Sequence, residues 1–550
     1  SMTITVLETI FELLIPSVMG VILNEIIYQK DAKLALKYGL IIIVLSLLSM
    51  FTGINASKNA GITSTGLTDN VRKRQFRKIQ DYSFEDFEYF GVPSLLTRLT
   101  SDMQALAQST FFTTRFVIKT IVMAIVAFIL AFRTSAKLSI IFLILMPILV
   151  IVLLAITSKA IPKFRKTRKQ YDNLNLIIEE NLNNMRVVKA FVRKKYEIDK
   201  FSDSNEEMFR LSDSSQGTVS YVFPTANAIL YATFIAIAWF GGLEIIKGNM
   251  GVGDLVSFNM YAMMLLGSLI GLSMVVTMLM ASSPSVTRVK EVLTRKISMT
   301  NDQKLEGLEP DDGSIDFDNV SFKYEEDSEA YQLSNIDLHI KSGEVIGILG
   351  ATGSSKSTLV QLIPRLYDIT EGSLRVGGHD IKEYDLKTLR DNVSIVLQKN
   401  TLFSGTILEN LKWGDKEASY DEVVAMAKIA QADEFINERS DTYESKLGQG
   451  GSGVSGGQKQ RLTIARSLLK KPKILILDNS TSAVDTKTEA KLLEGFNNLD
   501  GEMTQIIISQ RLSSFEYADR IIILDDGKIA DIGTPEELYQ RNDIYRTTYD

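Results

Sequence analysis

The sequence predicts two domains of different class. An all-α domain of six membrane-spanning helices, with long helical extensions into the cytoplasm, precedes an α/β domain built on a phosphate-binding loop (P-loop). Three observations predict this. Six long apolar segments lie before Arg295, basic clusters fall in only two of the connections between them, and a strand-like run leads directly into a glycine-bearing loop near Lys356. At 550 residues the chain is also too long for a single core.

The apolar segments run roughly over 3–28, 34–56, 114–132, 137–158, 221–246 and 254–281. Each approaches or exceeds the ~20 residues that cross a bilayer core. Leu138 to Ile156 is almost purely Ile, Leu, Val, Phe and Met, which is unusual for a buried soluble helix. Ser1-Met2 enters the first segment without a basic stretch or a small-residue cleavage site. No signal peptide is expected there; the first helix reads as clipped and Ser1 as a cloning remnant.

The connections alternate between short ones, such as Arg133 to Lys137, and two of about 60 residues. The long ones hold Arg72, Lys73, Arg74, Arg77 and Lys78, and Lys163, Arg165, Lys166, Arg168 and Lys169. Lys and Arg collect on the cytoplasmic side, so both long connections and both chain ends are expected inside. Few Gly or Pro interrupt them, and Tyr171 to Arg193 reads as helix, with turns expected near Phe84–Ser94 and Asn181–Val188. Within the spans, Glu8 and Glu12 share a helix face. They either line a cavity for cationic substrates, or sit near the inner interface or bond to a neighbouring helix. Met260, Met263, Met264, Met274, Met278 and Met280 in the sixth span read either as an adaptable binding surface or as ordinary filler.

The net charge of −6 gives no reason to expect nucleic-acid binding. With no cysteine, neither a disulfide framework nor a thiolate metal site is possible. That fits a reducing compartment or a bacterial membrane, and equally an engineered cysteine-free chain.

Lys296 to Gly313 is polar, with Gly and Pro, and reads as a linker. The strand Val345–Leu349 then leads into Gly350-Ala351-Thr352-Gly353-Ser354-Ser355-Lys356-Ser357-Thr358, with a helix expected from near Lys356. Backbone N–H groups of such a loop converge on phosphate oxygens, assisted by the helix N-terminus. Lys356 is expected to reach the β- and γ-phosphates, and Ser357 to ligate Mg²⁺. The usual pattern has Gly where this chain has Ser355, so a Cβ there strains the loop or crowds the phosphates. Ile474-Leu475-Ile476-Leu477-Asp478 is a buried parallel strand ending in the carboxylate that such a site requires.

Between these lies Val454-Ser455-Gly456-Gly457-Gln458-Lys459-Gln460-Arg461. Ser455, Gly456, Gly457 and Gln458 resemble the signature motif of the ABC transporter family. Tyr324 matches the position whose ring stacks on adenine. Gln398 matches the glutamine between nucleotide and transmembrane half, and Ser482 to Asp485 resembles the D-loop. Six spans with two long connections ahead of this domain resemble the type IV exporter half-transporter plan. The resemblance implies a transmembrane domain over 1–298, a linker over 299–313 and a nucleotide-binding domain over 314–550.

It further implies ATP at Tyr324, Gly350, Thr352, Gly353, Ser354, Ser355, Lys356, Ser357, Thr358, Gln398 and Asp478, with Mg²⁺ held by Ser357, Gln398 and Asp478. A second half-transporter follows, because each ATP lies between one chain's P-loop and the other's signature. The turns of the long connections become coupling helices that dock on the ATP-binding domains. The setting is an inner or plasma membrane and the cargo a small amphipathic compound.

Two departures stand out. The family's catalytic base, a Glu after the strand-ending Asp, is Asn479 here, and an amide takes no proton from water at neutral pH. The switch histidine expected after a strand Gln505–Ser509 is Gln510, and the only histidines, His339 and His379, lie elsewhere. Gln449 likewise stands where a Glu is usual. With an intact signature, this resembles the degenerate-site subunit of a heterodimeric multidrug exporter. The alternatives are a homodimer with an engineered hydrolysis-deficient site, or an ATP-gated channel or regulator on the same architecture.

Overall fold

The computed structural model describes residues 2–26, 32–324, 328, 330–499, 502–542 and 545–546. The chain divides into two compact units, 1–79 with 93–295, and 80–92 with 296–550. The predicted end of the first apolar segment, at 27–28, and Ser1 lie outside the described residues.

In the first unit, six helices among the described residues are long and apolar enough to cross a membrane: Met2–Glu25, Ala32–Gln80, Val92–Thr134, Ala136–Asn183, Lys194–Ile246 and Val252–Thr294. Ala32–Gln80 has 49 residues and Ala136–Asn183 has 48. At 1.5 Å per residue each runs about 70 Å, more than twice the ~30 Å hydrocarbon core. Leu36, Leu143, Ile151 and Trp239 are among the many large apolar side chains left exposed on these helices, as a lipid-facing surface requires. Inside, small residues allow close approach. Ala127, Ala131 and Ala262 pack with Phe142 and Phe258, whose rings stack at 5.1 Å. Helices one and six touch so closely that a Cβ on Gly253 would lie 2.1 Å from the Gly20 carbonyl oxygen.

The long helices turn where short helices intervene. Ser83 and Asp86 cap each other reciprocally at the start of Phe84–Phe90, and Gly91, at φ +70°, ends it. This segment groups with the second unit. The stretch Tyr171–Arg193, expected as helix with a turn near Asn181–Val188, is interrupted within that turn at Asn184 (φ −103°, ψ +20°), with a separate turn of helix at Met185–Ala190. The Asn184 side chain donates to the Glu180 carbonyl at 2.9 Å, a local bond that competes with the helix backbone.

Glu8 and Glu12 are bonded to a neighbouring helix. Arg115 donates through Nη1 and Nη2 to the two Glu8 carboxylate oxygens at 2.7 and 2.8 Å. Lys119 bridges Glu8 and Glu12 at 2.8 Å each, and Arg115 Nε reaches Ser57 Oγ at 2.9 Å. Gly53 makes room, since a Cβ there would approach Glu8 Oε1 to 3.1 Å. A π-turn over Thr113–Val117 presents Arg115. In the sixth span Met263, Met274 and Met280 are exposed, while Met264 packs on the core.

The second unit carries two sheets and a two-stranded ribbon. An antiparallel sheet in the order β2 (Leu333–Ile340), β1 (Ile315–Phe322), β4 (Glu371–Val376), β5 (His379–Asp380) holds both histidines, one each on β2 and β5. The larger sheet runs β12 (Lys528–Gly533), β11 (Arg520–Asp525), β3 (Val345–Leu349), β10 (Thr504–Ile508), β9 (Ile474–Asp478), β6 (Val393–Val396). β7 (Gly405–Thr406) and β8 (Lys446–Leu447) form the ribbon. All neighbours in the larger sheet are parallel except β11–β12. Both faces are buried: Ile474 and Ile476 of β9 enter one core, Leu475 and Leu477 the other, which is why the strand is apolar throughout. β10 begins and ends one residue earlier than expected.

Arg115→Met is expected to lower stability by about 3 kcal/mol, the low end for breaking a buried ion pair because Lys119 stays within reach. Thermal unfolding of the detergent-solubilised chain should show this loss, with more than half recovered in Glu8→Gln/Arg115→Met. Simple addition of the two single losses would mean that the charges are not one coupled unit.

Candidate functional site

In an open parallel sheet, ligands collect at the carboxyl ends of the strands. Five parallel strands end at one edge here, and four of them lead into the residues the sequence singled out. Gly350 follows β3, Leu397 and Gln398 follow β6, Asp478 ends β9 with Asn479 after it, and Gln510 comes two residues after β10.

The loop after β3 is tight. A Cβ on Gly350 would meet the Leu524 carbonyl oxygen at 2.2 Å, and Gly353 has φ +91°. Ser355 is held at φ +69°, ψ +22°, the left-handed region where glycine is at ease and a Cβ is not. The expected helix begins at Lys356. The Lys356 ammonium donates to the Gly350 and Ala351 carbonyls at 2.9 and 2.7 Å and to Ser354 Oγ at 3.2 Å. Ser357 Oγ donates to Asp478 Oδ1 at 3.0 Å. Burial pushes the Lys356 amine below its usual range, against the pull of Asp478. Burial likewise pushes the Asp478 carboxyl up, opposed by the Ser357 bond and the Lys356 charge.

This donor set fits the groups the sequence implies. A hydroxyl and a carboxylate 3.0 Å apart supply hard oxygen ligands of the kind Mg²⁺ takes. A desolvated ammonium at the start of a helix suits phosphate. Gln398 is exposed at the same edge. Thr358, next on the helix, pairs its hydroxyl with that of Tyr324 at 2.9 Å, and the Tyr324 ring packs edge-on against Phe322 at 4.9 Å. Thr352 lies in the loop turn, exposed.

Asn479 occupies φ +47°, a region asparagine tolerates better than most residues. Its Nδ2 lies 3.5 Å from Asp478 Oδ1, and its backbone N–H donates to the Ile508 carbonyl at 3.0 Å. Gln510 is exposed. Neither side chain offers a carboxylate or an imidazole.

Ser455 caps the 14-residue helix Gly456–Leu469. Its N–H donates to Gln458 Oε1 at 2.9 Å, and its Oγ accepts from Gln458 N at 3.3 Å. Ser455 and Gly456 are exposed, and among the described residues no hydrogen bond joins this helix start to the loop Gly350–Thr358. Gly457 allows close approach, since a Cβ there would come within 2.6 Å of the Ala483 carbonyl oxygen. Asp485 caps the next helix by accepting from Thr488 N at 3.0 Å, and hydrogen bonding from the Thr488 side chain, then its backbone, holds the carboxyl below the usual range.

Two residues of this assembly carried no role in the sequence reading. Gln460, buried on the signature helix, accepts from Ala483 N at 3.1 Å. Arg511, next to Gln510, donates to the Val484 and Ser482 carbonyls at 2.9 and 3.1 Å and to Glu489 at 3.2 Å. Together they tie the segment Ser482–Asp485 to both the signature helix and the segment after β10. A polar side chain on a buried helix face was the one signal available for Gln460.

Residues 1–269 match the family of the ABC transporter transmembrane region, and residues 333–482 match the ABC transporter family. An uncharacterized ABC transporter ATP-binding protein of Bacillus subtilis, YfiB, is 35% identical over 546 residues, covering 99% of this chain and 94% of that one. A similarly described protein of Mycobacterium tuberculosis, Rv1273c, is 31% identical over 541 residues, 98% of this chain and 92% of that one. Among solved structures, a bacterial Atm1-family ABC exporter with ATP bound aligns with a TM-score of 0.84 over 100% of this chain and 96% of its own, at 24% identity. That likeness speaks to the fold.

Ser355→Gly should stabilise the chain by about 0.5–1 kcal/mol, the left-handed strain relieved less the extra unfolded-state entropy of glycine. A lower melting temperature for the variant would show that the Ser355 side chain contributes more than its backbone costs.

Proposed function

The chain belongs to the ABC transporter family, and on that premise we propose that it is the subunit of a heterodimeric exporter whose own ATP site is degenerate. Family membership brings an ATP-binding domain and work as a pair of half-transporters in a membrane. The finer assignment rests on one observation above all. The residue after the strand-ending Asp478 is Asn479, whose amide lies beside that carboxylate at 3.5 Å and accepts no proton from an attacking water.

ATP binds at this chain's own loop. Its phosphates meet the backbone of Gly350–Ser355 and the Lys356 ammonium, and its adenine stacks on Tyr324. Ser357 and Asp478, with Gln398, would hold Mg²⁺, which would supply charge neutralisation to the phosphates. The desolvated Lys356–Asp478 pair supports this, because a polyanion and a divalent cation offset the burial of each. Hydrolysis there is weak, since Asn479 replaces the base and Gln510 replaces the histidine that would contact the γ-phosphate.

The signature is complete, and its exposed helix start is available to a second chain. Ser455, Gly456 and Gly457 then hold the γ-phosphate of an ATP bound to a different partner, whose site keeps both catalytic groups. The basic clusters on the helices beyond the apolar segments favour a cytoplasmic ATP-binding domain and cytoplasmic chain ends. The cargo is a small amphipathic compound. Glu8, Glu12, Arg115 and Lys119 neutralise one another, while exposed thioethers of the sixth span offer an adaptable apolar surface.

Ser455→Arg should abolish most ATPase activity of the complex, because a large cation at the signature takes the γ-phosphate position and blocks closure. Lys356→Ala should leave substantial hydrolysis, because it disables only the weak site. Steady-state ATPase of the two purified mutants decides between assemblies. Equal, near-complete loss in both is what a homodimer requires, since every one of its sites contains both residues.

A further inference from the structure

Six of the ten residues from Gly448 to Gly457 are glycine. Gly450, Gly451 and Gly453 occupy φ +64°, +70° and +103°, a path that glycine follows at little steric cost. Glycine also loses more chain freedom on ordering than any other residue. A segment of this kind, leading directly into Ser455, keeps one shape only where other side chains take hold of its backbone.

Two cations do so. Lys459, on the signature helix, donates from Nζ to the Gly450 carbonyl at 2.8 Å. Arg439, from outside that helix, donates from Nη1 to the Gly453 carbonyl at 3.1 Å, two residues ahead of Ser455. The approach is close, since a Cβ on Gly453 would lie 4.0 Å from Arg439 Nη2. Among the described residues this is the one hydrogen bond of the guanidinium, and its Nε is buried without a partner. Taking an N–H out of water without a partner costs free energy, so this is not an arginine left to solvent.

Arg439 stands on a firm base. It follows the short helix Asp433–Asn437, whose Phe435 and Ile436 are buried, and its N–H donates to the Ile436 carbonyl at 3.1 Å. The signature helix pins this base. Arg461 donates to the Gln431 carbonyl at 2.7 Å, and its guanidinium lies 4.9 Å from the centre of the Phe435 ring. A closed path therefore runs from the signature helix through Arg461, the short helix, Arg439 and Gly453 back to Ser455. The cap made with Gln458 sets Ser455 against its own helix, and Arg439 holds the chain that enters that cap.

We propose that Arg439 is a positioning residue for the signature. Its bond to the Gly453 carbonyl fixes the glycine-rich approach, and with it the place of Ser455 relative to the γ-phosphate of an ATP on a partner chain. This deepens, and rests on, the reading that the signature serves a partner's nucleotide. A small misplacement by a residue away from the chemistry is enough to slow turnover.

The test uses the two-chain complex. Arg439→Met removes the guanidinium and keeps an apolar stem; Arg439→Lys keeps a donor for the carbonyl. Steady-state kcat for Mg-ATP should fall about tenfold in Arg439→Met, as loss of a hydrogen bond from a charged donor predicts, and recover to within about threefold of the parent in Arg439→Lys. Mg-ADP has no γ-phosphate to meet the signature, so its competitive inhibition constant should be the same in parent and variants, as should the melting temperature. Turnover by Arg439→Met within about twofold of the parent, where Ser455→Arg abolishes it, would overturn this inference alone. A parallel loss of ADP affinity or of melting temperature would give Arg439 a purely structural role and overturn it as well. Full turnover in Ser455→Arg would overturn the reading of the signature, and this inference with it.

Discussion

Two opposite charges held out of water at one sheet edge govern the second half of this protein. Lys356 is 7% exposed and Asp478 2%, and burial presses each toward its neutral form. What keeps them charged is local: the loop carbonyls and Ser354 around the ammonium, and Ser357 on the carboxylate. Such a pair is costly to bury unless further charges and hydrogen bonds complete it. The parallel strand order brings β3 and β9 together through β10, so that the lysine and the carboxylate reach the same edge. The backbone meets this demand with two residues in the left-handed region, Ser355 and Asn479, one on each side of the pair.

Much of this was legible in the sequence, because the signals are local and one-dimensional. Each apolar segment long enough to cross a bilayer lies, over its described residues, in a helix, and the strands β3 and β9 begin and end where their apolar runs do. Ser355, flagged by residue type against a glycine pattern, occupies the backbone conformation that favours glycine. What escaped depends on partners distant in sequence. Nothing near Glu8 announces Arg115, which is 107 residues away. Gln460 and Arg511 acquire a role only because the fold brings Ser482–Asp485 between them. The grouping of the helix Phe84–Phe90 with the second unit, which the resemblance leads us to expect, is made by Asp86–Ser298 and Glu88–Tyr367, contacts that span more than 200 residues.

The two halves of the site have separate fates in this chain. On the proposed reading the binding half is furnished: loop, lysine, hydroxyl, strand-end carboxylate and the ring of Tyr324. The chemical half is not, since an amide and an exposed glutamine stand where a base and a histidine are needed. Yet the signature helix, which on the proposed reading serves a partner's nucleotide, is capped and tied to the segment Ser482–Asp485. A chain that keeps what it would lend and lacks what it would use itself is what the proposed unequal pair requires.

That inequality is tested most directly by where nucleotide is turned over within the purified two-chain complex. The complex is incubated with radiolabelled photoreactive Mg-ATP and orthovanadate, crosslinked by light, and separated into its chains. The account predicts hydrolysed nucleotide trapped on the partner chain and unhydrolysed ATP on this one. Trapped ADP in equal amounts on both chains would contradict it.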